Sequence, residues 1–589
     1  MLRSGLRGVS STCAGAWHAR SLSSLPQPAK KGPHRWCFGA ALVGGALGAF
    51  ALSAPAWTDV CEEAQMAPTE QRLPMAAVYA WGSNKSKVAA PSSGKATVNT
   101  PSAIPAFEGV GFRDMQLCTT YGAAADVHGD VVQWGTGFTG DAPDAFPVPQ
   151  RTLVGKDIVR LELCGPKIYA LSRAGDIYVF ASARANQSVH YSWMEKLAGS
   201  SSIDYVKLGA QGGRFSSEKF CDIAGGEHHL LALSTSGHVW GVPVDAEANT
   251  YGQLGYARTE LNAVRDGQPV SVEWQLQPRV VQRTQGSDKS VDAVPHRSII
   301  MDSTSIRYAT KLRAIPSLEN STFAEIAAGS AHSLARTLDG RVLGWGANGN
   351  GQLGLGVSTS VDTVAVPTEV CWPRSLVGRR AQCLRIAAGG VTSMFAVQSA
   401  GVAGKTDKDA PPPFTMESRI DLLAAGGGAR GTLGNAQRPQ TCSAPVRVRT
   451  VSGLAEYDET SRAMSPIHIH AISIGCSGQC ALVMDAPSIG TETRRDVYVW
   501  GANDTYQLGN GKRTNGAVPA LLTLSDEPQS ERTSRNAPIL NRLLLVEQTT
   551  GGASAYDPDG RRLERAYTSL AQRIVAGGEC MAVYTQIPS

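Results

Sequence analysis

The sequence predicts an all-β protein: a seven-bladed β-propeller that closes by joining half-repeats from the two ends of the chain. Three observations predict it. A strand that runs into Trp-Gly recurs along the chain, a strand that runs into small residues recurs beside it, and each end of the chain carries one unmatched half. The opening half lies at 78–82 and the closing half at 574–578. A closed ring uses both halves, because the last segment completes the first blade.

The two halves can be counted along the chain. The Trp-Gly half supplies Trp81, Trp134, Trp240, Trp345 and Trp500. The small-residue half supplies Gly226, Gly329, Gly389, Gly475 and Gly577. Complete units occupy residues 115–137, 158–181, 220–255, 323–356, 384–434 and 470–511, and the last unit joins 573–585 to 78–83. Phe180-Ala181 and Ala425-Gly426 replace Trp-Gly in two units. Seven units predict seven four-stranded blades.

Each unit has the composition of short antiparallel strands. Val, Ile, Tyr and Trp favour pleated, half-buried strands, and glycines supply the positive φ of the hairpin turns that link the halves. These turn glycines are Gly129, Gly175, Gly237 and Gly340. The small residues suit strands crowded near a central channel. Many units end in a Gly-Gln-Leu-Gly-like phrase, at 252–255, 351–354, 431–434 and 506–509. We expect its leucine to fill the contact between adjacent blades.

This order of phrases over residues 76–585 resembles the regulator of chromosome condensation repeat family, whose members form seven-bladed propellers. The resemblance implies a histidine after the small residues, which His228 or His229 and His332 provide. Thr392, Gln479 and Cys580 stand near that position in later units. A histidine that holds a loop can be replaced, so these changes indicate divergence of the repeat.

The N-terminal segment predicts a mitochondrial address. Residues 1–58 contain six Lys and Arg but no Asp or Glu, and apolar residues can share one helix face beside the arginines. This composition is typical of a transit peptide, which we assign to residues 1–31; a disordered basic tail is the alternative.

Residues 36–57 carry no charge and are long enough for one transmembrane helix, with tryptophans at both ends. The h-region of a secretory signal peptide is the alternative. Basic residues precede the segment and acidic residues follow it, which places the propeller, residues 76–589, in the intermembrane space.

Composition argues against several functions. Without the six basic residues of the N-terminal segment, the chain has 49 Lys and Arg against 50 Asp and Glu, so no nucleic-acid partner is expected. The twelve cysteines do not form a disulfide scaffold or a zinc-binding pattern. The glycine-rich phrase 349–354 matches a dinucleotide fingerprint but recurs as a repeat turn. We identify no catalytic residues, no cofactor site and no metal site, and we predict a protein that is not an enzyme.

Three insertions interrupt the repeats, at 257–322, 398–419 and 512–572. Loops on a rigid scaffold are where function concentrates. Disordered padding is the alternative for 398–419, whereas 537–548 is too apolar to stay solvated.

The resemblance implies three functional hypotheses. The first is an inner-membrane scaffold that supports assembly of a respiratory complex, the cytochrome bc1 complex (complex III), through its subunits or assembly factors. The second is a guanine-nucleotide exchange factor for a small or mitochondrial GTPase. The third is an assembly factor linked to the mitochondrial ribosome or RNA. The transmembrane segment favours the first hypothesis.

Overall fold

The computed structural model describes a defined part of the chain. It covers residues 71–587 except for 73–75, 143–144, 188–202, 212–217, 266, 281–298, 357–360, 402–417, 460–461, 490–491, 524–541 and 549–569. The transit peptide and the transmembrane segment assigned above lie outside the described residues. Within the described ranges, no helix is both long and apolar enough to cross a bilayer.

The two ends of the described chain pair with each other. The chain begins with β1 (Gln71–Arg72), β2 (Tyr79–Ser83) and β3 (Thr97–Ala103) and finishes with β35 (Leu570–Ala576) and β36 (Cys580–Gln586). Strand β2 pairs antiparallel with β36, with Ala80 opposite Ala582, and β3 extends the sheet on its other side. We name β35-β36-β2-β3 the closing sheet. The predicted pairing of 573–585 with 78–83 is confirmed.

Four-stranded antiparallel sheets follow in chain order. Sheet 1 contains β4 (Phe112–Leu117), β5 (Gly122–Asp126), β6 (Val131–Trp134) and β7 (Gln150–Arg151), with the short helix α1 (Thr136–Thr139) after β6. Sheet 2 contains β8 (Ile158–Cys164), β9 (Lys167–Ser172), β10 (Ile177–Ala181) and β11 (Tyr205–Lys207). Sheet 3 contains β13 (Phe220–Gly225), β14 (His229–Ser234), β15 (Val239–Pro243) and β19 (Lys311–Ala314), which also pairs with β12 (Gly209–Ala210).

Three further sheets repeat the pattern. Sheet 4 contains β20 (Phe323–Ala328), β21 (His332–Thr337), β22 (Val342–Ala347) and β23 (Thr363–Glu369). Sheet 5 contains β24 (Arg379–Gly389), β25 (Thr392–Gly401), β26 (Arg419–Gly426) and β27 (Val446–Arg447). Sheet 6 contains β30 (Ile469–Ile474), β31 (Gln479–Ile489), β32 (Glu492–Gly501) and β33 (Gly516–Leu521). Short 3₁₀ turns at Pro105–Phe107, Arg184–Asn186, Pro316–Leu318 and Arg374–Leu376 lie in the connections.

The insertions contribute strands of their own, both to a separate small sheet and to the repeat sheets. Residues 257–322 form a small sheet of β16 (Arg258–Arg265), β17 (Gln268–Gln275) and β18 (Ile299–Ile300), but also supply β19, the fourth strand of sheet 3. Residues 512–572 supply β33 in the same way. Such outer strands are short and half-exposed, so they carry no apolar signature in the sequence. The hairpin β28 (Ala455–Asp458) and β29 (Ala463–Pro466) links sheets 5 and 6.

The apolar stretch within the third insertion is buried. It forms β34 (Leu543–Gln548), in which Leu543, Leu544 and Leu545 are at most 1% exposed. Strand β34 pairs with the first residues of β32, with the start of β35 and, in parallel, with β1. The expectation that 537–548 leaves solvent is therefore confirmed for its described strand.

The first strands of the sheets lie side by side. Strand β8 contacts β4 and β13, strand β20 contacts β13 and β24, and strand β30 contacts β24 and β35. Strand β35 in turn contacts β4, so the succession of first strands returns to its start. Because these strands surround one axis, their inward side chains form an axial wall.

The connections define two opposite ends of each sheet. We name the hairpin face after the turns between second and third strands, where Gly129, Gly175, Gly237 and Gly340 have positive φ as predicted. We name the opposite end the clasp face, which carries the Gly-Gln-Leu-Gly loops.

Candidate functional site: the joints between sheets and the axial wall

Tryptophans fasten neighbouring sheets together at the clasp face. The indole Nε1 of Trp345 donates to the carbonyl of Gln253 at 2.8 Å, and that of Trp500 donates to the carbonyl of Thr432 at 2.7 Å. Each acceptor lies in the loop between the third and fourth strands of the preceding sheet. We call this arrangement a clasp. Because it joins two sheets through buried groups, it fixes their relative position.

The clasp recurs where the chain closes. Trp81 donates to the carbonyl of Gln507 at 2.7 Å, and Trp134 donates to that of Val88 at 3.0 Å. The Gly-Gln-Leu-Gly phrase builds the acceptor loop: its leucines are buried, and its last glycine lies against the indole of the next sheet. A Cβ on Gly509 would lie 2.8 Å from the Nε1 of Trp81.

In the described part of the chain, three joints lack the clasp: those between sheets 1 and 2, between sheets 2 and 3, and between sheets 4 and 5. Sheet 2 has Phe180-Ala181 in place of Trp-Gly, so it has no indole to donate to sheet 1. Sheet 2 also has no Gln-Leu-Gly loop, and the Nε1 of Trp240 in sheet 3 is buried with no hydrogen-bond partner among the described residues. Sheet 5 has Ala425 in place of tryptophan, so no indole reaches the loop of sheet 4. There, Gly354 faces Pro445 and Ala425 instead.

The joint between sheets 2 and 3 is held by the first insertion. Residues Ile306, Tyr308 and Leu312 pack into one apolar cluster with Trp240. Lys167, at the start of β9, donates to the carbonyl of Val244 at 2.6 Å and to that of Ser303 at 3.0 Å. Burial lowers the pKa of the Lys167 ammonium to about 8. An ammonium that holds two carbonyls therefore occupies the position that histidine takes in the next two sheets.

The repeat glycines lie at the clasp-face ends of the first strands, where sheets approach most closely. A Cβ on Gly226 would lie 2.7 Å from the carbonyl oxygen of Gly329, and a Cβ on Gly329 would lie 2.9 Å from that of Gly390. The other three behave alike: Gly389 faces Ile474, Gly475 faces Gly577, and Gly577 faces Leu117. Glycine at these positions leaves room for the backbone of the next sheet.

Buried histidines link three sheets. His229, and not His228, opens β14, as His332 opens β21. The Nε2 of His229 bonds the hydroxyl of Ser333, and that of His332 bonds the hydroxyl of Ser393, both at 2.9 Å. Thr392, Gln479 and Cys580 open the corresponding strands, as predicted. Gln479 donates to the carbonyls of the closing sheet at Gly577 and Gly578.

These His–Ser pairs have the spacing of a catalytic base and nucleophile, a feature that the sequence pattern did not indicate. Both histidines are fully buried, and burial lowers their pKa values to about 3 and about 4. The Nδ1 atom of each lacks a partner among the described residues, so no carboxylate orients the ring. The Ser333 hydroxyl already donates to the carbonyl of Gln253. The pairs therefore act as structural links between sheets.

A ring of charges surrounds the axis at one level of the first strands. The first strands of sheets 1 to 6 each have a β-bulge, and one charged or small residue follows it. In order around the axis, including the equivalent position of the closing sheet, these residues are Asp114, Arg160, Asp222, Glu325, Arg385, Ala471 and Arg573. Arg160 bridges to Asp222 at 3.0 Å, and Glu325 lies 3.8 Å from Arg385. Ion pairs along the axial wall thus join sheet 2 to sheet 3 and sheet 4 to sheet 5.

Carboxylates of the axial wall also bind backbone groups of the next sheet. Asp114 accepts from the N–H of Leu161 at 2.8 Å, and Glu325 accepts from that of Ile386 at 3.2 Å. Glu162 accepts a bond from the N–H of Gly225. Burial, with Asp114 and Asp222 nearby, raises the pKa of the Glu162 carboxyl to about 8 despite the opposing effect of Arg160. Across the described ranges, no set of His, Cys, Asp and Glu is placed to hold a metal ion.

Parts of the chain match known repeats. Residues 339–396 and 496–530 match the regulator of chromosome condensation (RCC1) repeat, and a second description of that repeat matches 323–352. These segments contain the clasp tryptophans of sheets 4 and 6. The chain therefore contains RCC1 repeats in these segments.

Its relatives include two proteins named as mitochondrial. The chain is 33% identical over 173 residues to RCC1 domain-containing protein RUG3, mitochondrial, of Arabidopsis thaliana. The aligned region covers 29% of this chain and 31% of that protein. It is 21% identical over 453 residues to Protein FMP25, mitochondrial, of Saccharomyces cerevisiae. The aligned region covers 74% of this chain and 64% of that protein. The chain thus spans less than two thirds of either relative.

Solved structures include a similar chain, yeast RCC1 (Prp20) bound to Kap60. The identity is 15%, the TM-score is 0.49, and the likeness covers 87% of this chain and 89% of that one.

Proposed function

We propose that this chain is a mitochondrial, non-enzymatic scaffold whose sheets close into a seven-bladed RCC1-type propeller. Residues 36–57 anchor it in the inner membrane, and the propeller faces the intermembrane space. It supports assembly of a respiratory complex, the cytochrome bc1 complex, by holding subunits or assembly factors. The mitochondrial names of the two relatives support the address, and the return of the first strands to β4 supports a closed ring.

One observation carries the scaffold proposal: the polar side chains of the repeat are used to join sheets. The indoles, the buried histidines and the axial carboxylates each bond a neighbouring sheet. What remains for function is a rigid rim with inserted strands, β16–β18 on one side and β34 on another. A rigid rim that presents inserted segments suits simultaneous binding of proteins.

Loss of the chain tests this proposal. We expect deletion to lower the amount of assembled cytochrome bc1 complex on native electrophoresis while its subunits are still synthesised. Lys512→Glu, at an exposed position of the third insertion, should reduce assembly more than Arg184→Glu, an exposed cation in the clasp-face loop of sheet 2. Unchanged respiratory complexes in the deletion strain would refute the scaffold.

A nucleotide exchange factor is the second candidate, favoured by the β16–β17 hairpin. It continues from the clasp-face loop of sheet 3 and exposes Val264 and, on β18, Ile300, which is 69% exposed. A protruding element of this kind can enter a GTPase and stabilise its nucleotide-free state. Faster release of labelled GDP from a mitochondrial GTPase on addition of the full chain, lost in Val264→Asp, would favour this candidate over the scaffold.

A further inference from the structure

The near-neutral charge of the propeller conceals one strongly basic sheet. From Arg374 to Arg449, the described residues of sheet 5 and its connections include nine arginines, no lysine and a single acid, Asp421. Asp421 is buried and already paired with Arg419 and Arg447. Among the described residues of this sheet, arginines therefore outnumber acids by nine to one.

The connector into sheet 5 departs from the equivalent connectors. The 3₁₀ turns before β4 and β20 begin with proline and end at Glu108 and Glu319. In the turn before β24, the first residue is Arg374 and the acid is replaced by Val377. The change turns an acidic corner of the hairpin face into a basic and apolar one. Val377 is 77% exposed, the largest value among the exposed apolar residues of the described chain.

This corner also projects from the hairpin face. Strand β24 begins at Arg379, four residues before Cys383, which corresponds to the first residue of β20. Four residues of strand extend about 13 Å. Arg374 and Arg380 are exposed and make no hydrogen bond or ion pair within the described residues. We name Arg374, Val377, Arg379 and Arg380 the basic corner.

The chain enters the described domain at this same face. Strand β1 pairs with Leu543 and Leu544 of β34, and β34 pairs with Glu492–Asp496, the hairpin-face end of β32. Strand β1 therefore joins the described domain at the face towards which the basic corner projects.

We propose that the basic corner binds an anionic lipid surface and orients the propeller on the membrane. Arginines attract anionic headgroups, by about five-fold in affinity for each charge near the surface, and an exposed Val377 between them can enter the headgroup region. The inference rests on the membrane anchor of the proposed function and adds a second, electrostatic contact. It predicts a contact that weakens as salt rises, because exposed charges are screened.

Hydrogen exchange of the full chain with vesicles tests the contact. One sample contains phosphatidylcholine vesicles, and the other contains phosphatidylcholine with one fifth cardiolipin. We expect the peptide 371–382 to exchange at least about five-fold more slowly with the anionic vesicles, and the protection to disappear in 0.5 M salt. Arg374→Glu with Arg380→Glu should abolish it. Arg430→Glu with Arg438→Glu, which makes the same charge change on the clasp face of the same sheet, should preserve it.

Equal exchange in the two vesicle samples would overturn the proposal. Protection that needs an added membrane-protein extract, and not the anionic lipid, would overturn it in favour of an acidic protein partner. Protection that survives the double substitution at the basic corner would show that the anchor alone holds this face to the membrane. Because no respiratory complex is present in the vesicles, failure here leaves the scaffold standing. Failure of the deletion experiment likewise leaves this result intact.

Discussion

Replacing Trp240, Trp345 or Trp500 by phenylalanine measures how much each indole N–H contributes to its joint. All three variants lose the same ring volume, so their differences report the indole N–H. In Trp500→Phe the carbonyl of Thr432 loses its donor at 2.7 Å and keeps only the distant thiol of Cys480, 3.9 Å away. A buried acceptor left unpaired costs about 1–3 kcal/mol.

The same change should have the opposite effect on stability at Trp240, in the joint between sheets 2 and 3. The Nε1 of Trp240 has no partner in the described structure, so Trp240→Phe removes a buried unpaired donor and recovers about 1–3 kcal/mol. Trp345→Phe should be intermediate, because the carbonyl of Gln253 keeps the hydroxyl of Ser333 at 2.8 Å. We expect Trp500→Phe to be less stable than Trp240→Phe by about 2 kcal/mol or more.

Urea unfolding of the full chain, followed by far-UV circular dichroism, gives the order of midpoints. The expected order is Trp240→Phe highest, Trp345→Phe next and Trp500→Phe lowest. A Trp240→Phe midpoint at or below that of Trp500→Phe would refute the reasoning, because it would mean that the indole bonds do not set the strength of the joints.

Three more predictions follow from the joints and the axial wall. Gly329→Ala should lower the free energy of unfolding by about 3 kcal/mol, since its Cβ would lie 2.1 Å from the ring of His332, whereas Gly349→Ala, with no atom within 4 Å, should be neutral in the same urea titration. Deletion of 573–589 removes the partner of β2, so we expect an aggregated or protease-sensitive chain, and a truncated protein that melts near the intact one would exclude ring closure. Glu162→Gln should flatten the pH dependence of the free energy of unfolding. The pKa of the Glu162 carboxyl is about 8 in the folded chain, above its ordinary value of 4.5, so the folded chain binds a proton that the unfolded chain has released. The wild type therefore loses stability as pH rises from 4.5 to 8. Calorimetry between those values should show the variant gaining on the wild type with pH, whereas Glu319→Gln, at an exposed acid, should track the wild type.

The sequence predicts the parts of the fold that repeat with strong local chemistry. Paired glycine turns, tryptophans and small residues reveal the first three strands of each sheet, and the unmatched halves reveal the pairing of β2 with β36. The fourth strands escape prediction because outer strands such as β19 and β33 are half-exposed and bond through the backbone, which any sequence can do. The apolar content of 537–548 predicts that the segment is buried, but it does not predict that β34 lies between β32 and β35.

The joints are less visible in the sequence than the strands. Trp240 carries the same phrase as Trp345, but it lies opposite Ala232, the fourth residue of β14, whereas Trp345 lies opposite Ser333, the second residue of β21. The clasp position of sheet 3 is therefore taken by Val242, and the indole of Trp240 has no acceptor among the described residues. Similarly, the whole-chain charge near zero hides the arginines of sheet 5, since opposite charges elsewhere cancel them in the count. Both features depend on which residues become neighbours across sheets, and a linear pattern does not contain that information.

The pairing of β2 with β36 also sets the order of events during folding. Ala80 and Ala582 are neighbours in space but lie far apart in the sequence, so β2 has no partner until β36 is synthesised. During that interval β2 has an open edge that can pair wrongly. Contacts between such distant residues form slowly. Nascent chains of this protein are therefore vulnerable until β36 emerges, and a binding protein that covers the open edge of β2 during that interval would raise the yield of folded molecules.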